Sequence, residues 1–129
     1  MRLGVPKEPE NETRVAIVPS SLKKLLKAGF EVYIEKNAGV SANYHDSDYE
    51  AAGAKLVSRK DALGCENIIC INFPGTEGIE KKTNLVCVAD PFRNPEYVKQ
   101  CIDSNITLMS MDMIPRRLSR AQSMDVNSS

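Results

Sequence analysis

The chain has 129 residues, 42% of them hydrophobic and 26% charged, with Lys plus Arg numbering 17 against 17 Asp plus Glu. That length suits one domain built on one core, and the composition is that of a folded globular protein rather than a disordered one. The balanced charge leaves no net field to draw the chain to nucleic acid or to an anionic membrane surface, so an anionic ligand would have to be held by local groups.

Met1 leads directly into the strand-like LGV rather than into a signal peptide, and no apolar run approaches the roughly 20 residues that span a bilayer; the chain reads as soluble. Short apolar runs recur at residues 3–5, 32–34, 68–71, 85–89 and 106–109, each of which reads as a buried strand. Between the first two, PSSLKKLLKAGF places Leu22, Leu25 and Leu26 on one helical face, with Pro19 and Ser20 as a start and Gly29 as a left-handed stop. Residues 46–53 repeat this in short form, with Asp46 as the cap and Gly53 as the terminator. Ser58 with Asp61 resembles a capping box, and Gly64 closes the turn before the next strand. Asn94 and Pro95 open a further helix whose stripe is Tyr97, Val98, Cys101 and Ile102, stopping near Asn105.

Nearly continuous Val, Ile, Leu and Cys strands alternating with amphipathic helices predict a three-layer, doubly wound α/β domain. Its sheet is mainly parallel, Rossmann-like or flavodoxin-like, and covered on both faces by right-handed crossovers. Ligands of such sheets bind outside the carboxyl ends of the strands. The segments to watch are therefore 6–14, 72–75, 90–94 and the stretch after Met113.

Several chemistries are excluded. The seven glycines never fall as G-x-G, so the GxGxxG turn that brings backbone amides to a pyrophosphate is lacking. No G-x-x-x-x-G-K-[ST] or G-x-S-x-G occurs, which argues against phosphoryl transfer and serine hydrolysis. The four cysteines, Cys65, Cys70, Cys87 and Cys101, sit mostly in apolar runs as small hydrophobes and fit a reducing compartment; with His45 the sole histidine, zinc lacks a ligand set. His45 itself, in NYHDSDY, suits a surface or capping role at a helix start.

The polar segment PRRLSRAQSMD follows the last strand. Its arginines offer forked donors to a phosphate or carboxylate, Gln122 can donate and accept, and Asp125 can accept from ribose hydroxyls or a carboxamide. Together they suit a nucleotide. The same Arg116, Arg117, Arg120 and Asp125 would equally make a solvated helix face, with ion pairs worth about 0 to 1 kcal/mol each.

On these residues a family resemblance rests. MDMIPRRLSRAQSMDVNSS resembles the Arg, Gln and Asp loop of the NAD(H)-binding component of proton-translocating NAD(P) transhydrogenases; SRAQSMD is much more specific to that branch than NETRVA, which resembles a signature of the wider group. MRLGVPKEPENETRVAIVPSSLKKLLKAGFEV is similar to the amino-terminal region that this component shares with alanine dehydrogenases, and the likeness continues through YEAAGAKLV over essentially the whole chain. The PRRLSRAQ segment holds one residue more than the family's usual loop, which sets Arg116 beside Arg117 as an alternative, and ADPFRNP replaces a stretch that more often carries an aromatic residue.

The resemblance implies that residues 1–129 are the N-terminal domain of the group, with a nucleotide-binding Rossmann domain expected to follow outside this chain, which would be inactive alone. It implies that Arg117, Gln122 and Asp125 contact the nicotinamide end of NAD(H), that Ser128 lies close to the nucleotide and that Arg14 faces the same cleft. The implied partners are an NADP(H)-binding domain, membrane subunits that couple hydride transfer to proton translocation, and a second copy in a homodimer. The implied place is the cytoplasmic side of an inner membrane or the mitochondrial matrix. Alanine dehydrogenases carry a lysine and a catalytic histidine where this chain has Asn72 and Asp90, which cannot anchor and protonate a keto acid in their stead. An alanine dehydrogenase-like enzyme and a non-catalytic interaction module are the alternative readings.

Overall fold

The computed structural model of the protein describes residues 1–88 and 93–110. Its elements run β1 (Arg2–Val5), α1 (Leu22–Lys27), β2 (Glu31–Glu35), α2 (Asp46–Ala51), β3 (Lys55–Val57), α3 (Arg59–Leu63), β4 (Asn67–Cys70), β5 (Asn84–Cys87), α4 (Pro95–Asp103) and β6 (Thr107–Ser110). Among the described residues six strands form one sheet in the order β3-β2-β1-β4-β5-β6, every pairing parallel. This is the doubly wound order, in which the chain builds outward from β1 to β3, returns across the sheet and builds outward again from β4.

Register decides which side chains share a face. Leu3 lies beside Val32 and Val5 beside Ile34, so these four point the same way from the pleat. They form a core with Leu22 of α1 and Tyr49 of α2. Gly4 lies beside Ile68, and Ile68 and Cys70 lie beside Leu85 and Cys87. Their opposite-facing set forms a second core with Leu63 of α3 and Cys101 of α4. One core was the expectation from length; the sheet stands between two, because helices cover both of its faces. All four cysteines are buried and unbridged, as small hydrophobes should be.

α3 is the element that carries the chain back, and it packs over β1 and β2. Gly4 makes that possible, since any Cβ there would overlap the Ala62 carbonyl oxygen.

The helices follow their local signals with a few corrections. A short 3-10 turn (Pro19–Ser21) precedes α1, and Gly29 takes φ +94 as the expected left-handed stop. Leu22 is fully buried whereas Leu26 is exposed, so the apolar stripe of α1 is narrower than its sequence suggests. Asp46 does not cap α2: His45 is the residue before its first turn, and the Asp48 carboxylate accepts the His45 N–H at 2.9 Å. Asp46 is diverted to accept the Asn37 N–H at 2.9 Å, which fastens the preceding loop. Ser58 caps α3 as expected, its Oγ accepting the Asp61 N–H at 3.3 Å. In α4, Cys101 is buried but Ile102 is 71% exposed, outside the stripe assigned to it. β3 was not anticipated; it is a three-residue edge strand with Lys55 exposed, too short to show as an apolar run.

Candidate functional site

β1 and β4 are neighbours whose onward connections leave in opposite directions, so the loops after them diverge and leave a crevice. The crevice has a volume of about 310 Å³, and Glu8, Glu35, Arg59, Cys70, Asn72 and Phe73 are among the residues that line it.

Glu8 is the anchor. It is 8% exposed, yet it is a carboxylate. Burial of such a group is tolerable only when its oxygens are hydrogen-bonded. Its Oε2 accepts the Ile71 N–H at 2.7 Å, and its Oε1 accepts the Asn72 N–H at 3.0 Å and the Asn72 Nδ2 at 3.2 Å. The amides freed where β4 ends are thereby satisfied by the loop after β1, and the two strand ends are fastened together.

The network continues toward solvent. Asn72 Nδ2 also donates to Glu12 Oε1 at 2.9 Å. Glu12 then accepts Arg14 Nε at 2.9 Å, Arg14 Nη2 at 3.0 Å and the Arg14 N–H at 3.0 Å. The Arg14 hydrogen bond, helped by Asn72, pulls the Glu12 carboxyl down from 4.5 to about 2, and the same pairing raises the Arg14 guanidinium. On the opposite rim, Glu35 Oε1 accepts the Lys7 N–H at 2.8 Å and Arg59 Nη1 at 3.2 Å. Phe73 stacks on Tyr97 with ring centroids 4.3 Å apart and planes at 19°, tying the far wall to α4.

What this arrangement can do follows from its charges. The carboxylates Glu8, Glu10 and Glu35 line the crevice against Lys7 and Arg59, with Glu12 and Arg14 joined to it through Asn72, and both arginines are already ion-paired. Lys7 is exposed. The amides that could have received a phosphate at the end of β4 are occupied by Glu8. Cys70 at the floor is a poor nucleophile, because its hydrogen bond to Cys87 and its burial push the thiol up. Among the described residues no group of His, Cys, Asp and Glu could hold a metal, and no helix is long and apolar enough to cross a membrane. The crevice suits a ring-sized, weakly charged head group received by acceptors and an aromatic wall, at the small end of the range for ligand clefts.

Of the residues singled out from sequence, Arg14 joins this network from the loop after β1, its side chain 62% exposed. Arg117, Gln122, Asp125 and Ser128, with Arg116 and Asp90, lie outside the described residues; β6, which precedes that segment, ends on the same edge of the sheet as the crevice. Segments 6–14 and 72–75, both expected at the ligand edge, do meet there. Glu8 and Glu12 were not singled out. The available signal was their place in a Pro-bounded acidic loop directly after the first apolar run, where a phosphate-binding fold would have glycines.

Comparison with known proteins yields four findings. Residues 4–129 match the family model for the N-terminal domain of alanine dehydrogenase/PNT. The NAD(P) transhydrogenase subunit alpha of Haemophilus influenzae is 37% identical over 133 residues, covering 100% of this chain but 26% of that subunit, so the chain spans about a quarter of this relative. The alanine dehydrogenase of Geobacillus stearothermophilus is 43% identical over 77 residues, covering 57% of this chain and 21% of its own. Among solved structures, the transhydrogenase from Sinorhizobium meliloti superposes with a TM-score of 0.81 at 32% identity, over 99% of this chain and 40% of that one.

Proposed function

Since the chain belongs to the alanine dehydrogenase/PNT N-terminal domain family, we propose that it is the first domain of the NAD(H)-binding component of an NAD(P) transhydrogenase, where it lends one wall to the cleft for the nicotinamide end of NAD(H). The observation that carries this reading is the crevice at the switch point. It keeps the strand order of a dinucleotide-binding sheet, yet Glu8 takes the amides at the end of β4 and the G-x-G turn is lacking. Such a site can receive a nicotinamide head group but not the pyrophosphate behind it. A second, Rossmann-type domain following this chain would hold the rest of the dinucleotide.

When bound, the dinucleotide supplies the hydride, and a second nicotinamide nucleotide, NADP(H) on a partner domain, exchanges it. What this chain contributes is position and exclusion of water. Glu8 and Asn72 fix the floor, Phe73 offers an apolar wall, and Arg14 is steadied by Glu12 at the lip. Arg117, Gln122, Asp125 and Ser128 complete the nicotinamide contacts in this proposal. Assembly follows the same reading: a homodimer of the complete subunit, attached to membrane subunits that couple the transfer to proton movement.

An alanine dehydrogenase-like function is the second reading, favoured by the 43% identity over 77 residues. It would require an unpaired cation within the crevice for the substrate carboxylate. Arg14 and Arg59 are committed to Glu12 and Glu35, the lining cation Lys7 is exposed at the rim, and the floor carries the uncharged Asn72 where alanine dehydrogenases have a lysine. The transhydrogenase reading is therefore preferred.

The test is a titration of NADH and NADPH, followed by nicotinamide fluorescence, into this chain and into the chain extended through the second domain. Binding of NADH by the extended protein alone, with NADPH ignored, is the expected result. No NADH binding by either would sink the proposal and leave a non-catalytic interaction module. Pyruvate-dependent oxidation of NADH by the extended protein would favour the second reading.

A further inference from the structure

We propose that Asn72 is the specificity-determining residue of the crevice, its Oδ1 accepting a hydrogen bond from the amide nitrogen of a carboxamide ligand. This rests on the nicotinamide reading above and goes beyond it by naming the atom that recognises the head group and the chemical class it rejects.

The orientation of the Asn72 amide is fixed by its neighbours. Nδ2 stands 3.2 Å from Glu8 Oε1 and 2.9 Å from Glu12 Oε1, two carboxylate oxygens that can only accept when ionised. Turning the amide over would set Oδ1 against both of them with no proton between. Both Nδ2 hydrogens are therefore committed, and the planar amide holds Oδ1 on the other side of Cγ, away from the carboxylates. Among the described residues no donor meets Oδ1, and Asn72 is part-exposed and lines the crevice. The floor thus offers a ligand an acceptor that cannot rotate into a donor.

Discrimination follows. A carboxamide brings an N–H to Oδ1 and carries no charge. A carboxylate at the same place brings only acceptors and a negative charge toward Glu8, Glu12 and Oδ1. Sites built around a particular hydrogen bond reject the analogue lacking it more strongly than apolar pockets reject a change of size. Glu8 and Glu12 act here as positioning residues, because they touch Asn72 rather than the ligand.

The experiment compares NADH with reduced 3-acetylpyridine adenine dinucleotide, in which a methyl group replaces the amide nitrogen, by fluorescence titration of the chain extended through its second domain. One neutral hydrogen bond corresponds to about a fivefold change in affinity. The wild type is expected to bind the analogue about fivefold more weakly than NADH. Asn72→Ala keeps the backbone N–H that Glu8 accepts, and it is expected to weaken NADH about fivefold while leaving the analogue unchanged. Equal wild-type affinities for the two nucleotides overturn the assignment without recourse to any variant. An equal loss for both nucleotides in Asn72→Ala overturns it as well, since that is the mark of a merely structural role. If the wild type binds neither, the nicotinamide reading itself fails and the assignment falls with it.

Discussion

A carboxylate four residues from a buried one, joined to it through a single amide, behaves differently from either alone. Glu12 is held at about 2, against 4.5 for the free group, chiefly by its hydrogen bonds to Arg14. A lowered folded-state value means that the folded chain releases this proton more readily than the unfolded chain. The associated stability is complete above about pH 4.5 and is lost as pH falls toward about 2. Glu12→Gln is expected to remove that part of the acid limb. At neutral pH it should cost no more than about 1 kcal/mol, because the Arg14 side of the pair is well solvated. Urea midpoints from pH 2 to 7 for both proteins would check this, and an unchanged acid limb would refute the ion pair. The sequence could mark Glu8 only by its place in the loop after the first apolar run, not by its hydrogen-bond partners. Its partners Ile71 and Asn72 are distant along the chain, and nothing local marks the amides that it satisfies.

At the scale of elements, the loop after β1 is held at both ends. Glu8 fastens its start to β4, and near its other end the Tyr49 hydroxyl of α2 donates to the Ile17 carbonyl oxygen at 2.8 Å, fully buried. Burial pushes the Tyr49 phenol up from 10.0 to about 12. The folded state then keeps this proton more tightly than the unfolded state, so the contribution is present below pH 10 and declines as pH rises toward about 12. Tyr49→Phe leaves a buried carbonyl without its donor and is expected to cost about 1–3 kcal/mol at neutral pH. It should also flatten the alkaline limb, as thermal melts at pH 8 and 11 would read out. The helices themselves were legible because their signals are local: Pro19 before α1, Gly29 and Gly53 at positive φ, Ser58 on the Asp61 N–H, Pro95 at the start of α4. β3 was not, since three residues with one exposed lysine carry too little periodicity to stand apart from a loop.

For the whole molecule, the decisive contact is the crossing of α3 over β1, which returns the chain to the middle of the sheet and so creates the switch point. Gly4 leaves the room for it. Gly4→Ala sets a Cβ against the Ala62 carbonyl oxygen, and it is expected to destabilise by about 1–3 kcal/mol. The melting temperature should drop by several degrees, measured by calorimetry. A melting temperature equal to wild type would contradict the close packing of α3.

Among the described residues, the sequence by itself determined the α/β class, the parallel sheet, five of the six strands and the four helices, because buried parallel strands and capped helices are written in runs and caps a few residues long. It also determined the family, through NETRVA and SRAQSMD, which the match over residues 4–129 bears out. Only the tertiary structure decided the strand order, the split of the apolar residues into two cores, and the meeting of Glu8, Asn72, Glu12 and Arg14. Those depend on which distant strands lie side by side and in what register, and pairing between strands leaves no mark on either strand alone.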